Sequence, residues 1–262
     1  MRVLAVDWSG AMRGTRSHLW LAEAVEAGRL IRLEARRPRQ VLTHDLFTTR
    51  DPLVIGLDFA FSFPAWFVKQ VGARSAPELW ERVGECGEEW LFACEPPFWG
   101  RPGRRRPTIT GAAFRRAELA VPRVRGVGPK SVFQIGGAGA VGTGSIRGMP
   151  LLHELHQAGA TIWPFTRGGW PLVVEIYPRL LTGDVRKSHA LERRTLVAER
   201  YPGLHPEHAR LAAESEDAFD AAVSALVMVA HVADLVGLPD EPDPGLRVEG
   251  RIWHPGWQRD DP

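Results

Sequence analysis

The sequence predicts a three-layer α/β fold with a mixed sheet, and three observations support this. Two short apolar runs, RVLAVD (2–7) and LVIGLD (53–58), lack polar alternation, which is typical of parallel strands covered on both faces. Between them, HLWLAEAVEAG and RLIRLEARR predict a β-hairpin closed around Ala27 and Gly28. Helical patterns follow, so helices are expected to connect the parallel strands and cover the sheet.

Later segments supply the remaining elements. Helices are predicted at RPRQVLTHDLFTTR (37–50), APELWERVGECGEEWLFACE (76–95), GMPLLHELHQAG (148–159), HALERRTLVAERY (189–201) and from SEDAFDAAVSAL (215–226) onward. ATIWPF and PLVVEIYP predict two more strands, and PPFWGRPGRRRPTITG predicts a surface loop. Because no repeat or clean boundary is visible, we expect one domain over 1–262, with an insertion at about 62–160.

Bulk composition limits the possible classes of protein. A chain of 262 residues, 44% hydrophobic and 24% charged, can fold around a sizeable core. Its net charge of +2 provides no overall attraction to nucleic acid. Two cysteines without a CxxC spacing argue against a disulfide framework or a zinc site. No apolar run has membrane length, and the run before Asp7 is too short for a signal peptide, so we expect a cytoplasmic protein without a membrane partner.

Acidic residues stand in unusual places in several predicted elements. Asp7 ends the first strand, Asp58 ends the fourth, and Glu175 interrupts PLVVEIYP. Asp217 and Asp220 are three residues apart on the last long helix, so they share one face. Ligands gather at the carboxyl ends of parallel strands, where these carboxylates would meet. Clustered carboxylates suit Mg²⁺ or Mn²⁺, and two such ions about 3.5–4 Å apart can act on a phosphodiester.

Each acid also has a structural interpretation. With Ser215 as N-cap, Asp217 would lie in the first turn and stabilise the helix end. Asp7 precedes Ser-Gly and could form a turn, while Glu175 could pair with Arg179. Taken together, acids at these element ends are harder to explain by packing, because a buried carboxylate without a partner is unfavourable.

An ordered set of motifs adds a resemblance over nearly the whole chain. The motifs are VDWSGA, IGLDFAFSFP, VFQIGGAGAVGTGSIRGMPLLHEL, IWPF, VVEIYPRLL and EDAFDAAVSAL. This set resembles domain-of-unknown-function family 429, described as predicted nucleases with a ribonuclease-H-like fold. That fold implies a five-stranded mixed sheet in the order 3-2-1-4-5, with a largely helical insertion after strand 4. The acid pattern is also similar to Holliday-junction resolvases of the RuvC type, which implies a metal site at Asp7, Asp58, Asp217 and Asp220.

Basic residues beside these motifs are candidates for binding substrate. Lys130, Arg147 and Arg179 are our choices, and Arg104–Arg106 form a loop that could follow a phosphate backbone, although surface solvation explains that loop more simply. The Gly-rich stretch 136–148 contains a GxGxxG pattern. No acid follows at the spacing of a dinucleotide site, so we expect a tight backbone approach there, either to a neighbouring strand or to substrate.

These observations predict a metal-dependent phosphodiester hydrolase, a nuclease. Its catalytic candidates are Asp7, Asp58, Glu175, Asp217 and Asp220, its cofactor Mg²⁺ or Mn²⁺, and its partner nucleic acid or a small phosphorylated ligand. Two alternatives remain open. One is an ATPase or sugar-kinase-like phosphotransferase of the related actin-like fold, because VDWSGA loosely resembles the phosphate turn of those enzymes. The other is a non-catalytic protein that binds a phosphate ligand, which the small net charge favours.

Overall fold

A computed structural model describes residues 1–8, 19–35 and 52–256 of the chain. The mixed α/β class is confirmed. The described strands form one six-stranded sheet, in the order β3-β2-β1-β4-β6-β5. The strands are β1 (Arg2–Asp7), β2 (Trp20–Val25), β3 (Arg29–Ala35), β4 (Leu53–Leu57), β5 (Ala160–Ile162) and β6 (Gly169–Glu175). The predicted helix at 37–50 lies outside the described residues.

The predicted order is correct for strands one to four and wrong beyond them. A sixth strand exists because ATIWPF supplies a strand of only three residues, β5, which pairs with β6 at the edge of the sheet. β6 therefore lies beside β4, in the place that the five-strand prediction gave to the fifth strand. The insertion between β4 and β5 contains four helices among the described residues, in agreement with its predicted helical character.

Strand directions follow the connections between the strands. β1, β2 and β3 pair antiparallel, and the predicted hairpin turns at Glu26–Gly28, where Ala27 and Gly28 both have positive φ. β1 pairs with β4 and β4 with β6 in parallel, because these connections cross over through other elements. The carboxyl ends of β1, β4 and β6 consequently meet at one edge of the sheet.

The helices lie on both sides of this sheet. Among the described residues they are α1 (Ala65–Gln70), α2 (Ala76–Ala93), α3 (Arg116–Ala120), α4 (Gly142–Gln157), α5 (Pro178–Thr182), α6 (Ala190–Arg200), α7 (Pro206–Glu214), α8 (Glu216–Ala230), α9 (Val232–Val236) and α10 (Leu246–Glu249). None of them is both long and apolar enough to cross a membrane.

Two apolar cores, one on each face of the sheet, produce the three layers. Leu4 and Val6 of β1 pack into the core that contains the buried side chains of α2 and α4. Val3 and Ala5 of the same strand pack into the opposite core, with the apolar residues of α8. This alternation explains the continuous apolar runs in the sequence, because both faces of β1 and β4 are covered.

Helix α8 is fixed at its start and along its length. The Ser215 hydroxyl accepts a hydrogen bond from the Ala218 N–H at 3.2 Å, so Ser215 is the predicted N-cap and Asp217 lies in the first turn. Gly56 of β4 lets this helix lie close to the sheet, since a Cβ there would be 2.5 Å from the Met228 sulfur.

Candidate functional site

Asp7 and Asp58 lie side by side at the carboxyl edge of the sheet. Val6 is in register with Leu57, and the Asp58 N–H donates to the Val6 carbonyl at 3.1 Å, so the pairing continues past the end of β4. Side chains alternate along a strand, and Val6 and Leu57 both face α2 and α4. Asp7 and Asp58 therefore face α8.

The first turns of α8 add Asp217 and Asp220 to this pair, and we call these four residues the acid cluster. Asp220 is 7% exposed, while the other three keep partial solvent contact. Burial raises the pKa of Asp58 to about 8, and the Asp220 carboxylate adds to this shift. Burial also raises the pKa of Asp7 well above its usual value, with Asp58, Asp220 and Asp217 contributing. The four carboxylates therefore share one electrostatic environment.

Lys187 supplies a positive charge to the acid cluster, and the sequence analysis did not select it. Its ammonium donates a hydrogen bond to Oδ2 of Asp220. Burial alone would lower the pKa of Lys187, but Asp220, Asp58 and Asp7 raise it overall. The same ammonium opposes the effect of burial on the pKa of Asp220, which is raised to about 6. One sequence signal was present, since Lys187 is one of three lysines in an arginine-rich chain.

Tyr177 is a second residue that the sequence analysis missed. It immediately precedes α5, and its half-buried ring lies near enough to Lys187, Asp58 and Asp220 to interact electrostatically with each. Burial raises the pKa of its phenol, so the hydroxyl stays protonated at neutral pH and can donate a hydrogen bond. The motif VVEIYP contains this tyrosine, but a tyrosine after a strand carries no signal that distinguishes it from a core residue.

Asp220 has one oxygen with no partner. Oδ2 contacts Lys187, whereas Oδ1 is buried and makes no hydrogen bond to any described residue. Ser224, one turn further along α8, also has a buried hydroxyl without a hydrogen-bond partner there. A buried carboxylate oxygen without a donor is costly, and a bound cation is one way to satisfy it.

The acid cluster is not a closed metal centre as it stands. Within the ranges 1–8, 19–35 and 52–256, no three or more His, Cys, Asp or Glu side chains are grouped as ligands of one ion. The chemistry of the residues present nevertheless fits a hard divalent cation, because all four cluster members offer carboxylate oxygens and one buried oxygen lacks a donor.

Glu175 does not join the acid cluster, contrary to its selection as a catalytic candidate. It is in register with Leu57 rather than Asp58, so its side chain lies on the opposite face of the sheet from Asp7 and Asp58. Both of its oxygens are bonded to the Arg115 guanidinium, at 2.5 and 2.9 Å, and one also accepts from the Phe61 N–H. The ion pair expected with Arg179 is therefore wrong, and Arg115 is the partner.

A cleft opens beside Asp58 on the α4 side of the sheet edge. It has a volume of about 570 Å³ and is lined by Trp8, Asp58, Arg101, Ile135, Gly139, Ala140, Val141, Thr143, Gly144 and Arg147. The Trp8 indole N–H donates to the Gly144 carbonyl at 3.0 Å, which ties the end of β1 to the start of α4. Asp58 is the one member of the acid cluster among these lining residues, so the cleft connects the cluster through Asp58 to the first turn of a sixteen-residue helix whose N-cap side chain makes no capping bond.

The three predicted substrate-binding residues have different surroundings. Arg147 lines the cleft, and Glu88 holds it through two hydrogen bonds of 2.6 and 2.9 Å. Lys130 is exposed and runs past Gly139, which places it beside the cleft. Arg179 is not among the residues that line the cleft, and its guanidinium donates to the Val185 carbonyl at 2.6 Å. Sequence proximity to a motif therefore indicated a position at the cleft for Arg147 and Lys130 but not for Arg179.

The Gly-rich stretch is a packing device at one end and part of the cleft wall at the other. A Cβ on Gly136 would lie 2.4 Å from the Gly100 carbonyl oxygen, and one on Gly142 would lie 2.1 Å from the Val132 oxygen. The predicted close backbone approach is confirmed, but its partner is the irregular segment around Gly100 and not a strand. Nothing in this geometry forms a dinucleotide fingerprint, because no strand leads directly into α4.

Comparisons with known proteins leave the chain without an assigned family. No protein-family model matches it, and no curated protein and no solved structure matches it either.

Proposed function

We propose that this chain is a metal-dependent phosphodiester hydrolase, a nuclease, with a ribonuclease-H-like sheet extended by one edge strand. The observation that carries the proposal is the convergence of Asp7, Asp58, Asp217 and Asp220 from two neighbouring parallel strands and one helix. These carboxylates are distant in sequence, and their like charges disfavour one another. A bound cation best explains why these carboxylates lie together at the carboxyl ends of the strands, where ligands bind.

The acid cluster would hold Mg²⁺ or Mn²⁺, and the unpartnered Oδ1 of Asp220 supports this. A bound divalent ion of this kind lowers the pKa of a coordinated water and stabilises charge on a phosphate. The chain's own residues would position the substrate. Arg147, fixed by Glu88, presents a guanidinium in the same cleft as Asp58, and guanidinium groups bind phosphate well.

The first turn of α4 adds a second attraction for anions. Its backbone N–H groups carry the positive end of the helix dipole and lie in the cleft wall near Gly144. Because Gly144 lines the cleft and has no side chain, a phosphate could approach the backbone closely there. The cleft would therefore place a scissile phosphate between a cationic wall and the carboxylate edge.

A cleavage panel tests the proposal. Single- and double-stranded DNA, RNA and hybrid duplexes are incubated with Mn²⁺, with Mg²⁺ or with chelator. We expect cleavage of at least one substrate with a metal, none with chelator, and loss in Asp58→Asn. The matched control is Asp234→Asn, because Asp234 is an exposed carboxylate paired with His231. Absence of cleavage from every substrate under all metal conditions would refute the nuclease.

A second candidate is a protein that binds or hydrolyses a small phosphorylated ligand. The cleft volume favours it, since about 570 Å³ is within the range of small-molecule sites. In that case thermal shifts with nucleotides and sugar phosphates would be large, while polynucleotides would have no effect on the melting temperature. The two candidates share the acid cluster and differ in what fills the cleft.

A further inference from the structure

We propose that the Lys187 ammonium permanently fills one cation position of the acid cluster, so that the site takes one divalent ion and not two. This inference rests on the proposed function, because it concerns the cation that the same carboxylates would hold. It replaces the expectation of two ions that the acid pattern alone suggested.

The two carboxylate oxygens of Asp220 have different surroundings. Oδ2 accepts from the Lys187 ammonium, and only Oδ1 is left without a partner. Mg²⁺ and Mn²⁺ sites are built from several oxygens each, and two neighbouring ions usually share carboxylates that use both oxygens. With one oxygen of Asp220 already occupied, this carboxylate can serve one ion.

The positive charge of Lys187 lies close to several carboxylates of the acid cluster. Lys187 contacts Asp220 and interacts electrostatically with Asp58 and Asp7, so its positive charge acts on three of the four carboxylates. Its side chain is 22% exposed, which means that leaving the cluster would require movement of the loop or of the side chain. An ion beside it would meet a like charge.

The loop carrying Lys187 is held by hydrogen bonds from two arginines. Arg179 donates to the Val185 carbonyl, and Arg193 donates to the Lys187 carbonyl. Arg193 is 4% exposed and also donates to the Ala213 carbonyl through two nitrogens, at 2.8 and 3.1 Å. Ala213 lies two residues before Ser215, the N-cap of α8. One guanidinium thus ties the lysine loop to the helix that carries Asp220.

The experiment counts bound Mn²⁺ per chain, by calorimetric titration and by loss of the free-ion EPR signal. We expect one ion in the wild type, two in Lys187→Met, and one in Lys187→Arg, which keeps the charge. Lys69→Met, at an exposed lysine of α1, is the matched control and should bind one ion. Circular dichroism and melting temperature verify that each variant is folded, and Lys187→Gln, which removes the charge and keeps a polar end, replaces Lys187→Met if that variant does not fold.

The outcomes separate this inference from the proposed function. Two ions in the wild type would overturn the role of Lys187 and leave the nuclease proposal intact. One ion in both the wild type and a folded Lys187→Met would also overturn it, because the vacated position would then not be a cation position. No ion in any variant would overturn both proposals together.

Discussion

The protonation of Asp58 depends on the burial and the charges of the acid cluster. Burial raises its pKa from 3.8 to about 8, with Asp220 adding to the shift and Lys187 opposing it. In the unfolded chain the carboxyl loses its proton near its ordinary pKa, whereas the folded, metal-free protein retains it. The free energy of unfolding should therefore be highest at acidic pH and fall as the pH rises through about 8.

This gives a prediction for the metal-free protein. In chelator, the melting temperature should decrease between about pH 4.5 and 8.5, and Asp58→Asn should flatten that decrease because the amide does not titrate. Added Mn²⁺ should raise the wild-type melting temperature most at the alkaline end, where the carboxylates are ionised. Asp234→Asn is again the control. A slope that is identical in wild type and Asp58→Asn would show that Asp58 is not the source of the pH dependence.

A substitution of Glu175 can distinguish a structural carboxylate from one that binds metal. Glu175→Gln removes one partner of the buried Arg115 guanidinium, which then retains Glu118 at 2.9 Å and the Glu249 carbonyl at 3.0 Å. Breaking a buried pair typically costs about 3–5 kcal/mol, and the glutamine amide can keep part of the bonding. We expect the free energy of unfolding to fall by about 3 kcal/mol in denaturant titrations, with Mn²⁺ stabilisation retained. Unchanged stability without Mn²⁺ stabilisation would instead make Glu175 a ligand.

At the scale of elements, local pattern was sufficient for the strands and the longer helices, but it missed the shorter helices α1, α3, α5 and α7 and could not assign the faces of the strands. The hairpin, the two buried strands and α8 with its Ser215 cap could be predicted, because apolar periodicity and capping are local signals. Glu175 could not be placed, since its face depends on register with Leu57, a contact between distant segments. Lys187 was missed for a similar reason: it reaches the acid cluster from a loop, and loops carry no periodic signal.

The close approach of α8 to β4 can be tested with two identical substitutions. Gly56→Ala would put a Cβ 2.5 Å from the Met228 sulfur, so the Met228 side chain must repack, and α8 shifts only if this thioether finds no room, at a cost of about 1–3 kcal/mol. Gly84→Ala, in the interior of α2, meets no atom within 4 Å and should stabilise the protein by about 0.5–1 kcal/mol. Denaturant unfolding measures both.

The substitutions Gly56→Ala and Gly84→Ala also test the position of Asp220 in the acid cluster. If α8 sets the position of Asp220, then Gly56→Ala should also weaken Mn²⁺ stabilisation, whereas Gly84→Ala should leave it unchanged. A Gly56→Ala protein with wild-type stability and wild-type Mn²⁺ response would mean that the helix does not depend on this contact for its position.

At the scale of the whole molecule, the distribution of charge over the surface matters more for substrate binding than the net charge. A net charge of +2 argues against a uniformly basic surface, yet a basic loop lies beside the cleft. Arg101 lines the cleft, and exposed Arg104 and Arg105 follow it in the chain. Arg106 lies 5.3 Å from the Trp99 ring centre and so anchors the loop. An extended polyanion that enters the cleft would continue along Arg104 and Arg105. A small phosphate ester bound in the cleft would not reach these two arginines.

Charge reversal of this loop therefore distinguishes the two candidate substrates. Arg104→Glu combined with Arg105→Glu should weaken binding of a long oligonucleotide and lower the slope of log K against log salt by about 0.9 for each phosphate that the protein no longer neutralises. Hydrolysis of a small chromogenic phosphodiester should keep its kcat and KM, because the acid cluster and Arg147 are unchanged. Fluorescence anisotropy from about 50 to 200 mM salt and steady-state kinetics supply the two measurements. Arg82→Glu with Arg74→Glu, both exposed on the insertion and absent from the cleft lining, controls for a general effect of net charge. Equal reductions of oligonucleotide binding in both double variants would mean that the loop has no special role, and the small-ligand candidate would then be favoured.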